Sequence, residues 1–141
     1  MSKVKPSILV SGVVVAGLAA LGWNYFSATS RGGAASVTVP RLSALASKGK
    51  VAFDANCAQC HGVNAAGTDK GPPLVHDIYN PGHHADGAFY FAAKNGVRQH
   101  HWSFGDMPPR PGVSEEDVTA IIRYIRELQV ANGIRYRPHR M

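Results

Sequence analysis

The feature that most restricts this chain is the run Cys57-Ala58-Gln59-Cys60-His61. Cysteines at i and i+3, followed at once by histidine, put two thiols and an imidazole on one side of a helical turn. A zinc site would need further ligands, and the chain has no second cysteine pair. A thioredoxin-like redox pair opens a helix that follows a strand. Here a helical pattern through Leu45, Gly49, Ala52 and Phe53 precedes the motif, and Gly62 follows it. The spacing suits one flat ring approached by all three side chains. That ring is a haem bonded through its two vinyl groups to Cys57 and Cys60, with His61 reaching the iron. A domain of about 90 residues has a small core of its own, so a covalently held apolar ring would supply much of its interior.

Charge narrows the partners. The formal charge is +6, from 15 Lys and Arg against 9 Asp and Glu. Residues 1–40 hold Lys3, Lys5 and Arg31 and no acid, and the remainder is close to neutral. No basic stripe with interleaved aromatics exists, which excludes a nucleic-acid binder, and two cysteines are too few for a disulfide scaffold. Lys3 and Lys5 precede an uncharged run from Pro6 to Ser30. Within it, Ser7 to Phe26 is about 20 residues, the length that spans a hydrocarbon layer. Trp23, Tyr25 and Phe26 sit at its far end, where an aromatic belt lies. Residues 1–26 are expected to form a single N-terminal transmembrane helix, with the positive flank in the cytoplasm and the rest exported. A cleaved signal peptide shares the charged start and apolar middle. Ala20-Leu21-Gly22 and Ala28-Thr29-Ser30 are its candidate sites, and removal of residues 1–30 would leave a soluble periplasmic protein. Residues 27–43, rich in Ser, Gly, Ala and Thr, read as a flexible linker. Residues 44–134 read as the folded domain. Residues 135–141, with Arg135, Arg137, His139 and Arg140, read as a basic, solvated tail.

Beyond the haem motif, a series of short segments resembles the class I c-type cytochromes over roughly Leu45 to Asn132. Gly49 and Phe53 precede Cys57 at the spacing of the family's N-terminal helix, where they pack on the C-terminal helix. Gly71-Pro72-Pro73-Leu74 resembles the loop whose proline carbonyl, that of Pro72, accepts the proximal histidine's second N–H. Phe104-Gly105-Asp106-Met107-Pro108-Pro109 resembles the loop that delivers the distal methionine. Ile121-Ile122-Arg123-Tyr124-Ile125 resembles the C-terminal helix that crosses the first, with Tyr124 at the packing face. The resemblance implies an all-α fold, a small cytochrome c-like helical domain around one covalently bound haem c with His61 and Met107 as axial ligands. Gly82-His83-His84 and Gln99-His100-His101-Trp102 are segments that the family's pattern does not require.

The residues also lead to Met107 on their own. Of three methionines, Met1 and Met141 stand at the ends of the sequence, and two prolines after Met107 restrict its loop. A thioether is one established way to complete a haem iron held by histidine. His76, His83, His84, His100 and His101 are rivals for that position, and paired histidines can also bind copper or zinc. The plainer alternative is that they cover the haem edge or a solvated loop. Trp102 offers an apolar wall and one N–H donor for a propionate, with His100 and His101 in supporting contacts.

Helices frame the expected pocket. Asp86 is expected to cap one that runs through Ala88, Phe89, Ala92 and Ala93 to Asn95-Gly96. Ser114-Glu115-Glu116-Asp117 resembles a capping box. Val118, Ile121, Ile122, Ile125 and Leu128 then form an apolar stripe, with Arg123, Arg126 and Glu127 on the polar side. A six-coordinate, enclosed haem offers no site for substrate. The expected task is therefore one-electron transfer, without catalytic residues, between redox partners such as membrane oxidoreductase complexes at the outer face of the cytoplasmic membrane. The alternatives are a cytochrome subunit of a periplasmic dehydrogenase, a haem peroxidase using His100 or His101, and a metal-binding or sensor module built on the histidine pairs.

Overall fold

Among the described residues, Ser43 starts the first helix. Its side chain accepts the N–H of Ala46, and α1 runs over Ala44–Asn56. After Cys57 a short helix, α2, covers Ala58–His61, with 3-10 turns at Val63–Ala65 and Asp77–Tyr79. α3 covers Asp86–Asn95 and α4 covers Glu115–Ala131. The computed structural model describes residues 36–138, so the expected anchor over residues 1–26 lies outside the described residues. Among the described residues no helix is long and apolar enough to cross a membrane. They contain no strand, only an isolated bridge between Val97 and Met107.

The domain is organised by the crossing of α1 and α4. Gly49 makes the crossing close, because a Cβ placed there would lie 1.9 Å from the Ala120 carbonyl oxygen. One turn on, Phe53 and Tyr124 are fully buried with ring centroids 5.6 Å apart. The tilted arrangement is one that aromatic pairs favour. Val118, Ile121, Ile122, Ile125 and Leu128 are all buried on α4, the result of apolar residues recurring at helical spacing. Tyr124 reaches past this core and donates its hydroxyl to the Asn64 side chain at 3.1 Å. Burial pushes its phenol up to about 12, with Asp54 acting in the same direction.

Four local readings change in the structure. The N-cap of α3 is Ala85, and Asp86 is the first helical residue, where its carboxylate favours the positive end of the helix dipole. At α4, Ser114 accepts the Asp117 N–H at 3.1 Å and donates its hydroxyl to Asp117 at 2.7 Å. The aspartate thus takes the hydroxyl proton rather than the backbone N–H that the longer glutamate of a capping box reaches. The linker expectation fails for its last residues. Val37 and Leu42 pack on the core, and Asn132 exchanges two hydrogen bonds with the Thr38 backbone, at 2.9 and 2.8 Å. The described part of the tail, residues 135–138, is exposed but tethered. Arg137 pairs with Asp77 at 3.1 Å, and its carbonyl lies where a Cβ on Gly82 would be, 1.8 Å away.

Arg126 is the largest departure from the amphipathic reading of α4. Its side chain is only 14% exposed. It donates to the carbonyls of Tyr79 and His84, to the Gln129 side chain and to Asp86. Gln129, itself buried, donates to the Leu74 and Tyr79 carbonyls. Together they clasp the loop over residues 74–86 against α4 and satisfy its inward-facing carbonyls, which burial without partners would penalise.

Candidate functional site

The Cys-X-X-Cys-His turn is built by its own backbone. The Cys57 carbonyl accepts from the N–H groups of Cys60 and His61, at 3.1 and 3.0 Å. Gly62, at φ +76°, then turns the chain away. His61 is buried, and its Nδ1 bonds the Pro72 carbonyl at 2.9 Å. A carbonyl only accepts, so Nδ1 carries the proton and Nε2 is left with its lone pair. Burial lowers the His61 pKa, Pro72 opposes that shift, and Arg110 reinforces it. The ring is therefore neutral, the form that ligates metals.

Met107 is fixed through its own backbone. Its N–H and carbonyl pair with those of Val97, both at 2.9 Å. Gly96 makes this possible. It sits at φ +73°, and a Cβ there would come within 2.4 Å of the Met107 carbonyl oxygen. Arg110 N–H closes the loop onto the Ala93 carbonyl at 2.6 Å.

Cys57, His61, Pro72, Trp102 and Met107 border one cavity of about 590 Å³, within the size range of cofactor sites. His84, His100 and His101 border it too. Cys60 does not. It lines an adjacent cavity of about 70 Å³ that shares His61, Pro72 and Met107 with the larger one. Gly49 and Tyr124 stand behind the site in the helix crossing, while Phe53 reaches both the crossing and the cavity wall. Burial pushes the Cys57 thiol up to about 11, against the pull of Arg110, so the unmodified thiol is protonated at neutral pH.

One buried polar group in this cavity wall has no partner among the described residues, the Trp102 indole N–H. Burial raises the Tyr79 phenol, and the indole beside it acts in the other direction, short of hydrogen-bond geometry. A buried donor without an acceptor is costly. An apolar ring carrying carboxylates at its edge fits this wall, filling the space and offering the indole an acceptor. The residues present therefore fit a haem.

Tyr79, Arg110 and Arg126 were not visible as site residues in the sequence. Tyr79 lies in a loop with no periodicity to mark it. Arg126 carries helical spacing that places it with the solvated charges, and only the loop carbonyls facing it reveal its work.

The family model described as Cytochrome c matches residues 46–129, a span that holds the cysteine motif, the Pro72 loop and Met107. No curated protein and no solved structure matches the chain.

Proposed function

The chain belongs to the cytochrome c family, whose members bind haem c covalently, and from that premise we propose that it is a one-electron carrier with His/Met ligation. Cys57 and Cys60 would hold the ring through thioether bonds, and His61 and Met107 would complete the coordination of the iron. When bound, the haem supplies exchange of one electron between ferric and ferrous iron. The Pro72 carbonyl holds the proximal imidazole in one tautomer and orientation, as partners of metal-bound histidines do. The Val97 pairing holds the Met107 backbone, and the two following prolines limit its freedom. The Trp102 indole N–H would find its acceptor at the ring's edge, and the apolar wall would exclude water. Nothing in this arrangement needs to move when the charge on the iron changes, which suits an electron carrier rather than an enzyme with a coordination position for substrate.

The observation that carries this reading is that His61 and Met107, both anchored through backbone groups, border the same cavity. Residues 1–26 would anchor the domain at the outer face of the cytoplasmic membrane, within reach of membrane redox complexes. Carbon monoxide tests the ligation. The reduced wild type should bind it slowly or not at all, and Met107→Ala should bind it readily. Rapid binding to the wild type would mean an open iron position and would favour a peroxidase.

A further inference from the structure

The two histidine pairs are the motifs that electron transfer leaves unused. They are distant in sequence, and the fold brings them together. His83 Nε2 lies 3.2 Å from His101 Nε2. The ring centroids of His83 and His84 are 4.7 Å apart, and those of His84 and His101 are 5.3 Å apart. One nitrogen from each of His83, His84 and His101 lies within 4.8 Å of the other two. From this convergence we propose that the three histidines form a binding site for one divalent late transition ion, Zn²⁺ or Cu²⁺, separate from the haem iron.

The donor set selects the class of ion. Three imidazoles without a thiolate or carboxylate suit zinc and copper and do not suit calcium or magnesium, which take oxygen ligands. The His83–His101 separation of 3.2 Å agrees, because two nitrogens bound to one tetrahedral zinc at 2.0–2.1 Å stand about 3.3 Å apart. The second nitrogen of His84 is engaged as metal-binding histidines require. Its Nδ1 donates to the Ile78 carbonyl at 2.7 Å, which fixes the ring and leaves Nε2 with its lone pair.

The scaffold is rigid. The N–H groups of His83 and His84 both bond the Asn80 carbonyl, at 3.0 and 2.9 Å. The Asn80 side chain is buried and accepts from Gly82 N–H, and Arg126 grips the His84 carbonyl at 2.6 Å. On the other arm, Gln99 N–H and the Asp106 carboxylate bond at 2.8 Å, and the Gln99 side chain accepts from Gly105 N–H at 2.7 Å. These bonds fix the start of the segment that carries His101. His83 and His84 are half-buried and His101 is exposed, so an ion can enter from solvent, and a water can take the fourth position.

The site does not depend on the electron-transfer reading and is tested apart from it. The full-length haem-loaded protein, freed of adventitious metal with a chelator, is titrated calorimetrically with Zn²⁺. One ion per chain should bind, and His101→Gln and His83→Gln should each weaken binding at least tenfold. Unchanged haem absorption in His83→Gln, whose side chain does not border the haem cavity, and unchanged helical circular dichroism in both variants show that the fold is intact. Cu²⁺ bound to the wild type should give an electron paramagnetic resonance spectrum with nitrogen splitting from three imidazoles. Absence of stoichiometric binding, or wild-type affinity in either variant, overturns the proposal. So does a change in the axial spectrum of the iron in His101→Gln, which would make His101 an iron ligand.

Discussion

Glu127 shows how a single side chain can work at a distance from its own element. In a capping box the third residue of a helix returns a glutamate to the N-cap backbone N–H. In α1 that position is Ala46, which is fully buried. Glu127 on α4 supplies the missing carboxylate, accepting the Ser43 N–H at 3.0 Å while also pairing with Arg123 at 2.7 Å. Burial acts to raise its pKa, but the Ser43 bonds and Arg123 outweigh burial and hold it below the usual carboxylate range. A group with a lowered folded pKa stabilises the protein above its unfolded value and loses that contribution as pH falls through the folded value. Glu127→Gln should therefore cost about 1–2 kcal/mol at neutral pH. The gap from wild type should close as pH drops below the carboxylate range, as urea unfolding at several pH values would show. A gap independent of pH would contradict this role. Nothing in the sequence linked Glu127 to Ser43, because helical spacing reports which face a residue occupies and not what meets that face. Cys57, Cys60 and His61 were legible for the opposite reason, since their chemistry depends on local spacing alone.

Among elements, the crossing of α1 and α4 has the least tolerance, and two glycines measure it. Alanine is favoured over glycine inside a helix by about 1 kcal/mol. At Gly87 in α3 nothing lies within 4 Å of an added Cβ, so Gly87→Ala should gain most of that amount. At Gly49 the added carbon meets backbone at Ala120, and overpacking of about 1–3 kcal/mol or more outweighs the helix gain. Gly49→Ala should therefore lower the midpoint of thermal unfolding while Gly87→Ala raises it. Two shifts of the same sign would contradict this account of the crossing. The elements themselves were largely readable, because the α4 stripe and the glycine stops are local signals. The loop over residues 74–86 was not, because its conformation is imposed by Arg126 and Gln129 across the fold.

For the whole molecule, the proposed anchoring of the haem domain through residues 1–26 makes a prediction about fractionation. The full-length protein should stay with the membrane fraction through a high-salt wash, and a form lacking residues 1–35 behind a cleavable leader should be released. Release of the intact chain by salt alone would point to peripheral attachment. The domain's function turns on the iron's distal ligand, where Met107 and four clustered histidines border or adjoin one cavity. The most direct measurement is the sulfur–iron charge-transfer absorption in the near-infrared of the ferric protein. The account predicts this band in the wild type, in His100→Ala and in His101→Ala, and its loss in Met107→Ala. A band that survives in Met107→Ala, or is absent from the wild type, would contradict methionine ligation and with it the central reading of the site.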